Sequence, residues 1–114
     1  MTPNDYQVAA RITARADMPQ LSTPQMRMLN WALGLGEVGE LQNLVKKWLF
    51  HGHDQDRKEM INELGDIMWY VANMAQELDV SLEYVMQRNL EKLKGRYPEG
   101  FNPAASINRK ENQQ

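Results

Sequence analysis

The chain has 114 residues, 42% of them hydrophobic, no cysteine and a formal net charge of −2. That length suits one domain, and the missing thiols exclude disulfides, thiolate catalysis and Cys-ligated zinc or iron. Weak acidity gives little electrostatic basis for binding long nucleic acids, and no apolar run reaches the about 20 residues of a membrane span. The Met1-Thr2-Pro3-Asn4-Asp5 start does not read as a signal peptide, so a soluble cytoplasmic protein is the expectation.

Thr2 as cap, Pro3 at the first helical position and Asp5 in the first turn predict a short first helix to Ala16, with Tyr6, Ala9, Ala10 and Ile12 apolar. Asp17 to Ser22 contains Pro19 and breaks the pattern. Thr23-Pro24 repeats the cap-plus-proline signal and opens a long second helix ending near Phe50, with Leu29, Leu33, Leu41, Leu44, Val45 and Trp48 on its apolar side. Gly34, Gly36 and Gly39 each cost about 1 kcal/mol relative to Ala in a helix interior, which calls for the close approach of another helix or a ligand. His51-Gly52-His53 reads as a helix stop rather than a metal site, since no carboxylate accompanies the histidines at helical spacing.

A third helix is predicted from Asp54 or Asp56 to about Asp79. Met60, Ile61, Leu64, Ile67, Met68, Val71, Met74, Ala75 and Leu78 would be its core face. Ser81 caps a fourth helix to about Lys94, with Leu82, Val85, Met86, Leu90 and Leu93 inward and Gly95 as its stop. The methionines mostly follow the apolar period and read as core filling. Trp31, Trp48 and Trp69 read as packing, with stacking on a base as the alternative. No strand and no solenoid repeat is evident, so the expected architecture is an all-α bundle of about four helices. The expected domain is 1–101 and a polar tail 102–114, whose last residues, Asn108 to Gln114, are polar enough to be disordered unless a neighbouring subunit orders them.

Two carboxylate pairs stand out: Glu37-Val38-Gly39-Glu40 and Glu63-Leu64-Gly65-Asp66. Residues three apart share one side of a helix, so two packed helices would aim four hard oxygen donors at one point. Acidic residues are common on solvated helix faces. These pairs, however, occupy successive helices and lie beside the apolar stripe, where four carboxylates repel unless a cation neutralises them.

The wording around the pairs resembles the MazG-like nucleotide pyrophosphohydrolases of the all-α NTP pyrophosphatase superfamily. Gly36-Glu37-Val38-Gly39-Glu40-Leu41 and Asn62-Glu63-Leu64-Gly65-Asp66-Ile67, with 22 residues between Glu40 and Glu63, look like the family's Glu-x-x-Glu and Glu-x-x-Asp helices. Asn89-Leu90-Glu91-Lys92-Leu93 and Arg96-Tyr97-Pro98-Glu99-Gly100-Phe101 are similar to the ending of its compact members, so the likeness spans roughly residues 25 to 101.

The resemblance implies hydrolysis of a nucleoside triphosphate between the α- and β-phosphates, giving monophosphate and pyrophosphate. The working ion would be Mg²⁺, with Mn²⁺ as a substitute. It assigns Glu37, Glu40, Glu63 and Asp66 as metal ligands; one of the first pair, Glu37 by preference, could instead align or deprotonate water, and sequence leaves that open. Lys46 and Lys47 are either a solvated basic face or phosphate contacts, whereas Lys92 and Arg96, inside the family-like ending, are assigned to phosphate or pyrophosphate. Asn89 could bond the sugar or base or complete the metal shell, and Tyr97 could stack, bond the sugar or simply pack. The resemblance further implies a homodimer or homotetramer with its site near a helix interface. Among deoxynucleotides, dGTP and dUTP are the first substrates to test, in either nucleotide-pool housekeeping or viral nucleotide remodelling.

Two other classes compete. One is a noncatalytic helical interaction module that keeps an acidic metal-binding patch. The other is a carboxylate-bridged di-iron bundle, weakened because neither His51 nor His53 follows a glutamate at Glu-x-x-His spacing.

Overall fold

The structure, a computed structural model, describes residues 1–16, 18–100 and 103–107. It divides into two units, Met1–Leu82 and Glu83–Gln114. The first contains α1 (Pro3–Ala14), α2 (Pro24–Gly34), α3 (Val38–Phe50) and α4 (Arg57–Glu77). The second is built on α5 (Leu82–Arg96), whose first residue belongs to the first unit, and the short α6 (Pro103–Ile107). Among the described residues there is no strand, only an isolated bridge between Pro98 and Gly100, and no helix is long and apolar enough to cross a membrane.

The helix starts follow the side chains that the sequence offers. Thr2 and Asp5 form a reciprocal capping box at α1, with bonds of 3.1 and 3.0 Å. Thr23 accepts from the Met26 amide at α2, and Asp56 accepts from the Glu59 amide at α4. At the end of α3, Gly52 takes a φ of 74° while the His51 and His53 amides both bond the Lys47 carbonyl, so this segment is the expected helix stop.

The predicted long second helix is two helices. Leu35–Glu37 tighten into a 3₁₀ turn between α2 and α3. Gly34, just before it, is where Tyr70 of α4 crosses so closely that an added methyl would collide with the ring. Helix approach therefore explains Gly34, whereas a methyl on Gly36 or Gly39 would meet open space.

Helix α4 is the axis of the first unit, with α1, α2 and α3 packed against it. The Gln7 side chain ties the turn after α4 to α1, donating to the Val80 carbonyl at 3.0 Å and accepting from the Leu82 amide at 2.8 Å. Among the described residues, the buried hydrophobics are Ala10, Ala14, Trp31, Ala72, Ala75 and Leu82, so small side chains let the helices approach. This corrects the expected core. Ala75 and Leu82 are buried as read, but Leu29, Leu33, Ile61, Leu64, Met68 and Leu78 are exposed, as are Val85, Met86, Leu90 and Leu93. The inner side of α4 instead buries Glu63, Ala72, Asn73 and Ala75. Helix α5 also runs past Gly95 to Arg96, and α6 occupies part of the expected tail; Phe101 and residues 108–114 lie outside the described residues.

Candidate metal centre

Asp56 starts α4 so that Glu63 and Asp66 fall on successive turns of it, and the 3₁₀ turn presents Glu37 across from them. One carboxylate oxygen from each of Glu37, Glu63 and Asp66 lies within 4.8 Å of the others. Glu63 is only 9% exposed, and its Oε2 is buried without a hydrogen-bonding partner among the described residues. Burial, then the facing Glu37 carboxylate and the charges of Asp66 and Glu59, push its pKa up to about 7. Tyr6 of α1 feels the same field, since burial first and the Asp66 charge second raise its phenol.

Three oxygen donors with an orphaned buried oxygen suit a hard divalent cation, which would satisfy that oxygen and remove the repulsion. A cavity of about 440 Å³ adjoins the cluster, lined by Thr13, Glu37, Gly65, Asp66, Trp69 and Tyr70. Its aromatic side is a braced group. Trp69 stands edge-on to Trp31 at 5.4 Å and to Tyr70 at 5.1 Å, and its indole N–H donates to Thr13 Oγ1 at 2.7 Å.

Of the residues read from sequence, Glu37, Glu63 and Asp66 converge. Glu40 is exposed near the start of α3 and outside that trio. Lys46 and Lys47 are exposed further along α3 and do not line the cavity. In the second unit, Asn89 and Lys92 are exposed on α5, Arg96 ends that helix half-buried with its Nε unbonded among the described residues, and half-buried Tyr97 follows, its amide bonded to the Leu93 carbonyl at 2.7 Å.

Sequence reasoning passed over Tyr70 and Thr13. Tyr70 was legible in principle, because it follows Asp66 by one turn of the same helix. Thr13 carried no signal, since its place depends on α1 docking along α4.

The other acidic residue buried on α4 is differently placed. Glu77 Oε1 accepts from Arg27 Nε at 2.9 Å, Arg11 Nη1 at 3.0 Å and Trp31 Nε1 at 3.3 Å. Burial alone would raise its pKa, but these donors hold it below the usual carboxylate value. Arg11 also donates to the Asn73 carbonyl at 3.2 Å and stacks 5.9 Å from the Trp31 ring centre, so α1, α2 and α4 are joined at one carboxylate.

The geometry agrees with comparisons to known proteins. The MazG nucleotide pyrophosphohydrolase domain matches residues 26–101, a span containing all three converging carboxylates. The chain is also 45% identical over 82 residues to the Gene 37 protein of Mycobacterium phage L5, covering 66% of this chain and 69% of that protein. No solved structure matches it significantly. With most of its length matched and the acidic helices of that match meeting in space, this chain belongs to the MazG nucleotide pyrophosphohydrolase family.

Proposed function

We propose that the chain hydrolyses nucleoside triphosphates between the α- and β-phosphates, with Mg²⁺ held by its acidic cluster. The observation that carries this reading is the meeting of Glu37, Glu63 and Asp66 within 4.8 Å beside a cavity of about 440 Å³, within the about 300–1,000 Å³ common for small-molecule sites. When bound there, Mg²⁺ offsets phosphate charge and polarises phosphoryl oxygens. Glu37, Glu40, Glu63 and Asp66 form the proposed carboxylate set. Whichever of Glu37 and Glu40 is not taken up by the ion aligns the attacking water and accepts its proton. The water oxygen bonds to the α-phosphorus, the bridging oxygen bond to that phosphorus breaks, and pyrophosphate leaves with the bond's electron pair. Lys46, Lys47, Lys92 and Arg96 are the proposed phosphate-binding cations, with Asn89 and Tyr97 toward the sugar or base.

Assembly with copies of the same chain belongs to this reading. Among the described residues, four of the six buried hydrophobics are alanines, while Leu29, Leu33, Phe50, Ile61, Leu64 and Met68 remain exposed, a distribution that suits a further apolar contact. Sedimentation equilibrium should therefore give a dimer or tetramer rather than a monomer.

The test of the reaction is incubation with Mg²⁺ and each common NTP and dNTP separately, dGTP and dUTP first, with nucleotide products resolved and pyrophosphate measured. Monophosphate and pyrophosphate in equal amounts establish it. Release of inorganic phosphate with a diphosphate product, or no turnover of any nucleotide, overturns it, the latter favouring a noncatalytic metal-binding module.

A further inference from the structure

Helix α1 lies upstream of the matched residues 26–101, yet its Thr13 lines the cavity beside the carboxylates. The hydrogen bonds at Thr13 fix what it offers there. Ala10's carbonyl can only accept, so the Thr13 hydroxyl donates its one proton along that 2.9 Å contact. The Trp69 indole N–H can only donate, so it occupies one of the two lone pairs of Thr13 Oγ1 at 2.7 Å. Among the described residues, one acceptor lone pair is left without a partner, and no donor.

The surroundings hold that acceptor still. Trp69 is braced edge-on by Trp31 and Tyr70, and Thr13 is β-branched, which restricts its rotamer. Trp69 follows Asp66 by three residues, about 4.5 Å along the helix at roughly 1.5 Å per residue, and the acceptor shares one cavity with Glu37 and Asp66. Gly65 lines the same cavity, and a methyl on it would meet open space.

We propose that Thr13 is a specificity-determining residue. Its free lone pair accepts a hydrogen bond from the nucleoside half of the ligand, a sugar hydroxyl or a base N–H, while a cation held by the carboxylates would engage the phosphates. The inference rests on the nucleotide reading above but needs no turnover. It also explains why Trp69 bonds to Thr13: the indole takes the other lone pair and leaves the residue a single-acceptor probe for a donor on the ligand.

The test is calorimetric binding, in the presence of Mg²⁺, of a non-hydrolysable α,β-imido deoxynucleoside triphosphate and of inorganic tripolyphosphate. Wild type, Thr13→Val and Thr13→Ser are compared. Loss of one neutral hydrogen bond should weaken nucleotide binding about three- to tenfold in Thr13→Val, with Thr13→Ser restoring it and tripolyphosphate unaffected. A 2′,3′-dideoxy version of the ligand identifies the donor. If wild type and Thr13→Val bind it alike, the donor is the sugar hydroxyl; if the difference persists, it is a base N–H. Either result supports the inference. Equal nucleotide binding by wild type and Thr13→Val, an equal loss for nucleotide and tripolyphosphate, no rescue by serine, or no nucleotide binding by wild type overturns it. Nucleotide binding that is sensitive to Thr13, in a wild-type protein that turns nothing over, would leave this inference standing and reject the hydrolase reading alone.

Discussion

Helix α4 carries two buried glutamates about four turns apart, and they were solved in opposite ways. Glu77 receives three donors on one oxygen from two other helices, and its pKa falls. Glu63 faces other carboxylates, keeps an unbonded buried oxygen, and its pKa rises to about 7. One end of the helix is therefore a completed joint and the other an acidic cluster that could hold a cation.

Removing the charge at either end separates the two roles. Glu63→Gln should lower Mg²⁺-dependent turnover by more than the about 10- to 100-fold lost when residues that merely support metal ligands are changed. The same variant should melt higher than wild type at pH 8 without divalent cations, since repulsion is relieved. A turnover near wild type would dismiss the site. Glu77→Gln should do the reverse, destabilising the protein by about 3 kcal/mol in urea titrations because Arg11 and Arg27 lose their carboxylate, yet it should keep a Mg²⁺-induced rise in melting temperature. Absence of that rise in Glu77→Gln would mean the two ends are not separable.

The two glutamates respond to pH in opposite directions. Glu63 holds its proton more tightly when folded, at about 7 against an ordinary 4.5, so its contribution to ion-free stability is fully present below 4.5 and lost as pH rises through about 7. The contribution of Glu77, with its lowered pKa, is present above 4.5 and lost as pH falls through its own folded value. Because a cation must displace the Glu63 proton, Mg²⁺ affinity should rise about tenfold per pH unit below about 7 and level off above it, as read by calorimetry at several pH values. A flat profile would break the comparison. The smallest effect is expected at Gly65→Ala, where the methyl meets open space: a gain of about 0.5–1 kcal/mol in stability, offset by a higher KM if the cavity holds the nucleotide.

What could be read from sequence was what local rules decide. Thr2, Thr23 and Asp56 cap where side-chain chemistry says they should, Gly52 stops α3, and the spacing of Glu63 and Asp66 put both on one side of α4. The failures come from contacts between distant segments. The apolar period placed Ile61, Leu64 and Met68 inside, but periodicity reveals only that a helix has an apolar face, not what covers it, and α1 and α2 chose the side bearing Asn73 and Glu77. The break at Leu35–Glu37 adjoins the crossing of Tyr70 over Gly34, and Thr13 joins the cavity through an indole 56 residues away in sequence. No window of neighbouring residues contains either partner.

The aromatic group beside the carboxylates also makes the molecule its own optical instrument. Trp69 lines the cavity, Trp31 is fully buried against the Glu77 joint, and Trp48 is 38% exposed on α3. Trp48 separates from the other two in fluorescence: the solvated indole should emit further to the red, while the touching Trp31 and Trp69 rings respond together to whatever enters the cavity. Replacing Trp48 with Phe would leave Trp31 of α2 and Trp69 of α4, in edge contact at 5.4 Å, as one coupled reporter reaching from the Glu77 joint to the cavity, so that ligand entry could be followed without any attached dye.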